Sequence, residues 1–213
     1  MSCAFDLGHY RELLDAAAAG RYRFAGFERD PEPGDLLVRH DVDLSLDAAL
    51  AMGELEAAAG ARATYLLMTR SVFYNLASEE GERAIARLRE LGHAVGLHAV
   101  FPHVDLDERF DPVVAWHNPE PPFMHEPIAG AANPMASPWF SPDHYRSDSN
   151  QHWRSGCPHE ALGRAELEWL QLLIHPEIWV YEGSTMRETM HSLLDAERER
   201  RLAQLADDKI DLT

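Results

Sequence analysis

Basic residues are scarce in this chain of 213 residues. Lys and Arg number 19 against 36 Asp and Glu, a formal charge of −17 with a pI near 5.0. A surface of that sign repels phosphate backbones and anionic headgroups, which excludes nucleic acid and acidic lipid as general partners. The densest basic run, Arg198-Glu199-Arg200-Arg201, lies in an acid-rich helical stretch and reads as a solvated face. Cysteine is nearly absent: Cys3 and Cys157 are too few for a disulfide framework, and their separation matches no zinc spacing. No apolar run approaches the ~18 residues that a membrane span needs. MSCAFDLGHYRELL lacks a basic start and carries acidic residues among its apolar ones, unlike a secretory signal. The expected compartment is the cytoplasm. What is present, 46% hydrophobic and 26% charged residues, is ordinary for a globular protein, and the length suits one domain over residues 1–213.

Residues 7–19 have Tyr10, Leu13, Leu14 and Ala17 at helical spacing with Gly20 as a stop. LLVRHDV (36–42) reads as a strand. A helix follows, with Ser45 as N-cap, Leu46, Leu50 and Leu55 on its apolar side, and Gly60 after its last turn. ATYLLMT (63–69) is apolar throughout, as a buried parallel strand should be. EEGERAIARLREL (79–91) is an amphipathic helix burying Ile85 and Leu88, stopped by Gly92, and HAVGLHA (93–99) is a third strand. Helix and strand thus alternate through the first hundred residues, which predicts an α/β fold with a parallel sheet or barrel. In such folds chemistry collects at the carboxyl ends of the strands.

Residues 101–158 change character, being rich in Pro, His, Asn, Ser and aromatics, with one strand-like piece, VVAWHN (113–118). Eight aromatics argue against disorder, so the segment reads as an ordered excursion over the carboxyl ends of the strands. WLQLLIHPEIWVY (169–181) restores a buried strand, and Met186 to Lys209 forms a closing charged helix.

Ionised groups inside a core are costly unless paired, so the ending of LLVRHDVD needs a reason. Alternate strand residues share a face, which aligns Arg39, Asp41 and Asp43, with the two carboxylates about 7 Å apart along the chain. That separation suits one carboxylate on a metal ion and the other on the attacking water. It equally suits a turn in which Asp43 and Ser45 cap a helix and Asp41 pairs with Arg39. His98, His117 and His175 each follow their own apolar run, so four strand-like segments end in Asp41/Asp43 or a histidine and converge on one site. Two or three imidazoles with a carboxylate leave a coordination position open for water. His93 reads as a hydrogen-bonded core or surface residue. In YRSDSNQHWR (145–154), Tyr145 and Trp153 are placed to stack on a sugar and Asp148 to orient a histidine, although an ordered surface loop explains the stretch as well. Cys157 and His159 of GCPHE make too weak a clip for a metal without further soft ligands.

RHDVD at 39–43, GLH at 96–98 and LLIHP at 172–176, in that order on an α/β chain, resemble the polysaccharide deacetylase family. The resemblance covers residues 36–118 and 145–181. It implies a distorted parallel (β/α) barrel that removes N- or O-linked acetyl groups from sugars with one divalent ion. Zn²⁺ is the first expectation, and Co²⁺, Ni²⁺ or Mn²⁺ are the others. Carried over by position, Asp41 matches the general base, Asp43 the metal carboxylate, His98 the first metal histidine and His175 the general acid. Tyr145, Asp148 and Trp153 resemble the loop that supports the acid or lines the substrate groove. The chain departs from the family in three places, one being the Arg-x-Pro-Tyr segment, whose place in the order is taken by His117-Asn118-Pro119. Val42 separates the aspartates, and the family's second metal histidine, four residues after the first, falls on Pro102. His117 is therefore the preferred third ligand, with His103 next.

The expectation is amide hydrolysis: Asp43, His98 and His117 hold the ion, Asp41 accepts the proton of the attacking water, and His175 protonates the departing amine. The substrate is then an acetylated small molecule or glycan, with N-acetyl sugars foremost. One rival is a carbohydrate-binding relative without turnover, favoured by the missing His-x-x-x-His pair. Another is a two-metal phosphoesterase, which wants more carboxylate ligands than the sequence offers.

Overall fold

In the computed structural model, which describes residues 3–210, the chain runs through α1 (Leu7–Ala19), β1 (Arg23–Phe24), β2 (Asp35–Val42), α2 (Leu46–Ala58), β3 (Thr64–Leu67), α3 (Glu79–Glu90), β4 (Ala94–Val100), β5 (Val114–His117), β6 (Tyr145–Ser147), α4 (His159–Gly163), β7 (Leu170–Ile174), α5 (Pro176–Val180) and α6 (Met186–Asp207). The ends of the expected 1–213 unit, residues 1–2 and 211–213, lie outside the described residues. The strands are all parallel, in the order β5-β4-β3-β2-β7-β6, with β1 pairing with the start of β2. The result is an α/β fold whose parallel sheet curls into a half-barrel backed by helices. Among the described residues, no helix is long and apolar enough to cross a membrane.

The two faces of β2 show how the curl is filled. Leu36, Val38 and Val42 face the larger core, with Leu13, Leu14, Met52, Leu67 and Leu172. Leu37 faces a smaller one, with Phe27, Leu66, Val113 and Ala115, on the side shared by Arg39 and Asp41. This concave side is tight. A Cβ on Gly96 of β4 would come within 2.5 Å of the Val113 carbonyl oxygen and 2.7 Å of the Leu66 side chain, so the glycine before Leu97-His98 lets β5 close against β4.

Helix starts follow the sequence. Ser45 caps α2 by accepting from the Ala48 amide, and Ser78 caps α3 by accepting from the Gly81 amide. The inward face of α2 differs from the leucine stripe. Leu46, Ala49, Met52 and Gly53 are buried with Glu56, while Leu50 and Leu55 are only partly covered. Glu56 decides the difference, because it is fully buried and accepts hydrogen bonds from Tyr10 (2.5 Å), Tyr65 (2.7 Å) and His40 (2.7 Å). Burial alone would raise its pKa, but the His40 ring beside it holds the carboxyl below the usual glutamate range. Its contribution to stability is therefore full above the ordinary glutamate pKa and is lost as pH falls through the native one. Replacing Glu56 with Ala strands two buried hydroxyls and an imidazole together, and is expected to cost about 3–5 kcal/mol in urea unfolding.

Two parts of the later chain differ from expectation. The apolar stretch 169–181 is a strand only to Ile174. Pro176 has no amide hydrogen for the ladder and a φ suited to a first helical turn, so Pro176–Val180 forms α5 instead. The excursion over 101–158 holds a second strand besides β5: Tyr145–Ser147 pairs in parallel with Gln171–Leu173 at the sheet edge. The closing helix ends at Asp207 and buries only Thr189 and Leu193, tied to α3 by Arg200 and Glu80 at 2.7 Å.

Candidate metal centre

Parallel pairing sends every strand's carboxyl end to one edge, and the register decides which side chains meet there. Asp41 is level with Leu66, Leu66 with Gly96, and Leu97 with Val114. Asp43, His98 and His117 consequently leave β2, β4 and β5 together. On the other flank His40 pairs with Ile174, which brings His175 level with Asp41.

The first three side chains converge on a point. Asp43 Oδ1 lies 3.2 Å from His98 Nε2 and 3.2 Å from His117 Nδ1, and the two ring nitrogens are 3.2 Å apart. Asp43 Oδ1 is buried yet accepts no well-aligned hydrogen bond from either ring. An orphaned carboxylate oxygen facing two imidazole nitrogens is the donor set a borderline divalent cation takes. The His98 tautomer agrees with that use: its Nδ1 sits 3.2 Å from the Ala115 carbonyl, which fixes the proton there and leaves Nε2 its lone pair. His117 Nε2 is 3.2 Å from the Asn118 side-chain nitrogen, a donor, so Nδ1 is freed for a cation only when that amide turns over to present its oxygen. Burial alone would raise the Asp43 pKa, but the His117 and His98 rings hold it well below the carboxylate range. The Asp43 carboxylate beside it raises the His117 pKa in turn.

Asp41 stands beside this cluster, its Oδ2 3.6 Å from His98 Nε2. The pairing with Arg39 is real and bidentate, at 2.7 and 2.6 Å, and both residues are buried. Burial would raise the Asp41 pKa, but Arg39 outweighs it, so the carboxylate stays ionised across neutral pH. Turn and cap roles thus coexist with the cluster: Ser45 caps α2 and Arg39 clamps Asp41, while Asp43 turns to the histidines.

His175 is built as an acid. Its Nδ1 is 2.6 Å from Asp148 Oδ1 and its backbone amide donates to Asp148 Oδ2 at 2.9 Å, which leaves Nε2 as the nitrogen free to serve the pocket. Trp179 Nε1 also donates to Asp148 Oδ2, at 2.7 Å. Burial alone would lower the His175 pKa, but the Asp148 carboxylate overrides it and pushes the ring up to about 10. A cation on Asp43, His98 and His117 would repel the imidazolium and oppose that rise.

One pocket of about 150 Å³ is lined by Asp41, Asp43, His98, His117, Tyr145 and His175, with Trp116 and Leu173 among its walls. Three expectations need correction. Trp153 does not face it: the ring is 6% exposed and packs behind the sheet against Phe5 (6.1 Å) and Trp179 (6.2 Å). Asp148 is fully buried beneath His175, so it positions that ring and does not line the groove. His103 is exposed and stands outside the ligand cluster, while His93 is a core residue that holds Gly53 O and the Ala63 amide. Sequence reasoning did not find Trp116 as a wall, or Glu177, which is buried next to His175 with its pKa pushed up to about 8 by burial. The Trp116 signal was available in its place just before His117 on β5.

No protein-family model matches the chain, and no curated protein or solved structure shows significant similarity to it.

Proposed function

We propose that the chain is a metal-dependent hydrolase that removes an acetyl group, foremost an N-acetyl group, from a sugar or sugar conjugate, as a divergent relative of the polysaccharide deacetylases. One observation carries this reading: an Asp-His-His ligand set shares a pocket with two further groups biased toward opposite protonation states, Asp41 by the Arg39 guanidinium and His175 by the Asp148 carboxylate. Amide hydrolysis needs that pairing, because water must lose a proton and the amine cannot depart as an anion.

Asp43, His98 and His117 would hold a divalent ion of the zinc class. When bound, such an ion polarises a carbonyl and lowers the pKa of water from 15.7 toward ~7. Asp41, fixed by the Arg39 fork, accepts the proton of the attacking water through a lone pair that the guanidinium leaves free. His175 donates from Nε2 to the leaving nitrogen, and Asp148 keeps that ring oriented and charged. Trp116 and Tyr145 offer ring surface for sugar C–H faces beside the small cavity. Among the described residues the carboxylates lining this pocket are Asp41, clamped by Arg39, and Asp43, too few to hold a second ion, which disfavours a two-metal phosphoesterase.

Acetate release from an N-acetyl sugar in the presence of Zn²⁺ or Co²⁺ tests the reading. Wild type is expected to turn over, and the Asp41→Asn variant to lose roughly 10²-fold or more. Saturable binding of the sugar with no acetate released would instead make the protein a carbohydrate-binding relative.

A further inference from the structure

A second cluster of metal-binding side chains lies where the chain's two cysteines meet. Cys3, just ahead of α1, and Cys157, in the turn before α4, are 154 residues apart in sequence, yet their free thiols lie 2.9 Å apart. His9 of α1 points its Nε2 at both, 3.0 Å from Cys3 Sγ and 3.2 Å from Cys157 Sγ. Its other nitrogen, Nδ1, is 2.8 Å from Glu12 Oε2. An ionised carboxylate only accepts, so Nδ1 carries the proton and the Nε2 lone pair faces the sulfurs. Carboxylate support behind a histidine whose free nitrogen faces two thiols is the outer-shell pattern of a metal ligand. The cluster opens on a cleft of about 740 Å³ that also holds His159, its ring centroid 6.0 Å from that of His9. The cleft shares no lining residue with the Asp43 pocket.

We propose that Cys3, His9 and Cys157 form a binding site for one zinc-class cation, with the fourth position taken by water or His159. Two thiols and an imidazole match the soft and borderline ligands that select zinc over hard cations. Tetrahedral coordination with Zn–S near 2.3 Å sets the sulfurs about 3.7 Å apart, so the thiols separate by about 0.8 Å on binding. Rotation about the side chains of two partly exposed cysteines allows this. The ion would staple the residues ahead of α1 to the turn before α4. A redox pair of cysteines would explain the sulfur contact alone, whereas the site also accounts for the His9 ring and the Glu12 carboxylate behind it.

Cobalt titration of the reduced chain, with a phosphine reductant, tests the assignment. The expected result is a sulfur-to-cobalt charge-transfer absorption that saturates at one equivalent. It persists in His98→Ala, which disables the pocket's own ligand set, disappears in Cys3→Ser and in Cys157→Ser, and needs about 10–100-fold more cobalt in Glu12→Gln. Circular dichroism checks that each variant is folded. X-ray absorption at the zinc edge of the His98→Ala chain loaded with one equivalent gives a test without cysteine variants: two sulfur neighbours are expected. A shell of nitrogen and oxygen alone overturns the site. So does a reduced chain that shows no charge-transfer band, including one whose thiols only form a Cys3–Cys157 disulfide on adding glutathione disulfide.

Discussion

Replacing Asp43 with Asn lowers kcat/KM for acetyl release by about 10³-fold, well beyond the roughly 10–100-fold lost with an outer support residue. The reason is charge. His98 and His117 would bind a cation as neutral rings, so Asp43 would be the one anionic donor in the set, and its Oδ1 is the atom both rings face. An asparagine oxygen in its place is neutral, and a dication there keeps an uncompensated charge in a partly buried pocket. Metal analysis after dialysis checks the cause, with the variant expected to retain less than wild type. Equal metal content together with lost activity would move Asp43 from ligand to another catalytic role.

His175→Asn carries the second large effect, and its size depends on the leaving group. With an amide substrate the loss is expected to be about 10²–10⁴-fold, the usual worth of a positioned general acid. With an aryl acetate, whose phenolate leaves unaided, it shrinks to about tenfold or less by the same Brønsted argument. Asp148→Asn separates proton supply from orientation. Without the carboxylate at 2.6 Å the His175 pKa falls toward the ordinary value of ~6.5. At pH 8 only about 1 ring in 30 would then be protonated, so the amide rate falls up to about 30-fold and recovers as the pH is lowered. The alkaline limb of the pH–rate profile should move down in this variant. A profile that keeps its alkaline limb but drops uniformly would mean that Asp148 only supports the local fold.

The first hundred residues were readable because each step there is local. Buried parallel strands appear as unbroken apolar runs, and Ser45, Gly60 and Gly92 mark helix ends by capping chemistry and positive φ. Asp43, His98, His117 and His175 were readable for the same reason, as polar residues that end apolar runs. Features set by long-range pairing were not. Trp153 in a polar loop looks like a sugar platform, but it follows an edge strand that turns it into the core beside Phe5 and Trp179. Asp148 is the exception: its loop reads as one that orients a histidine, and the pairing of β6 with β7 sets it beneath His175, 27 residues later. The inward face of α2 is set by Glu56, whose partners Tyr10 and Tyr65 lie on other elements. The cysteine cluster joins Cys3 to Cys157, and no spacing rule reaches across 154 positions.

The proposed centre requires β2, β4 and β5 to deliver one ligand each to a single cation. An anomalous-difference map collected above the zinc edge, from crystals grown with Zn²⁺, measures this directly. A peak is expected within bonding distance of Asp43 Oδ1, His98 Nε2 and His117 Nδ1. A well-ordered pocket with no peak there, or with the Asp43 carboxylate turned away from both rings, would contradict it.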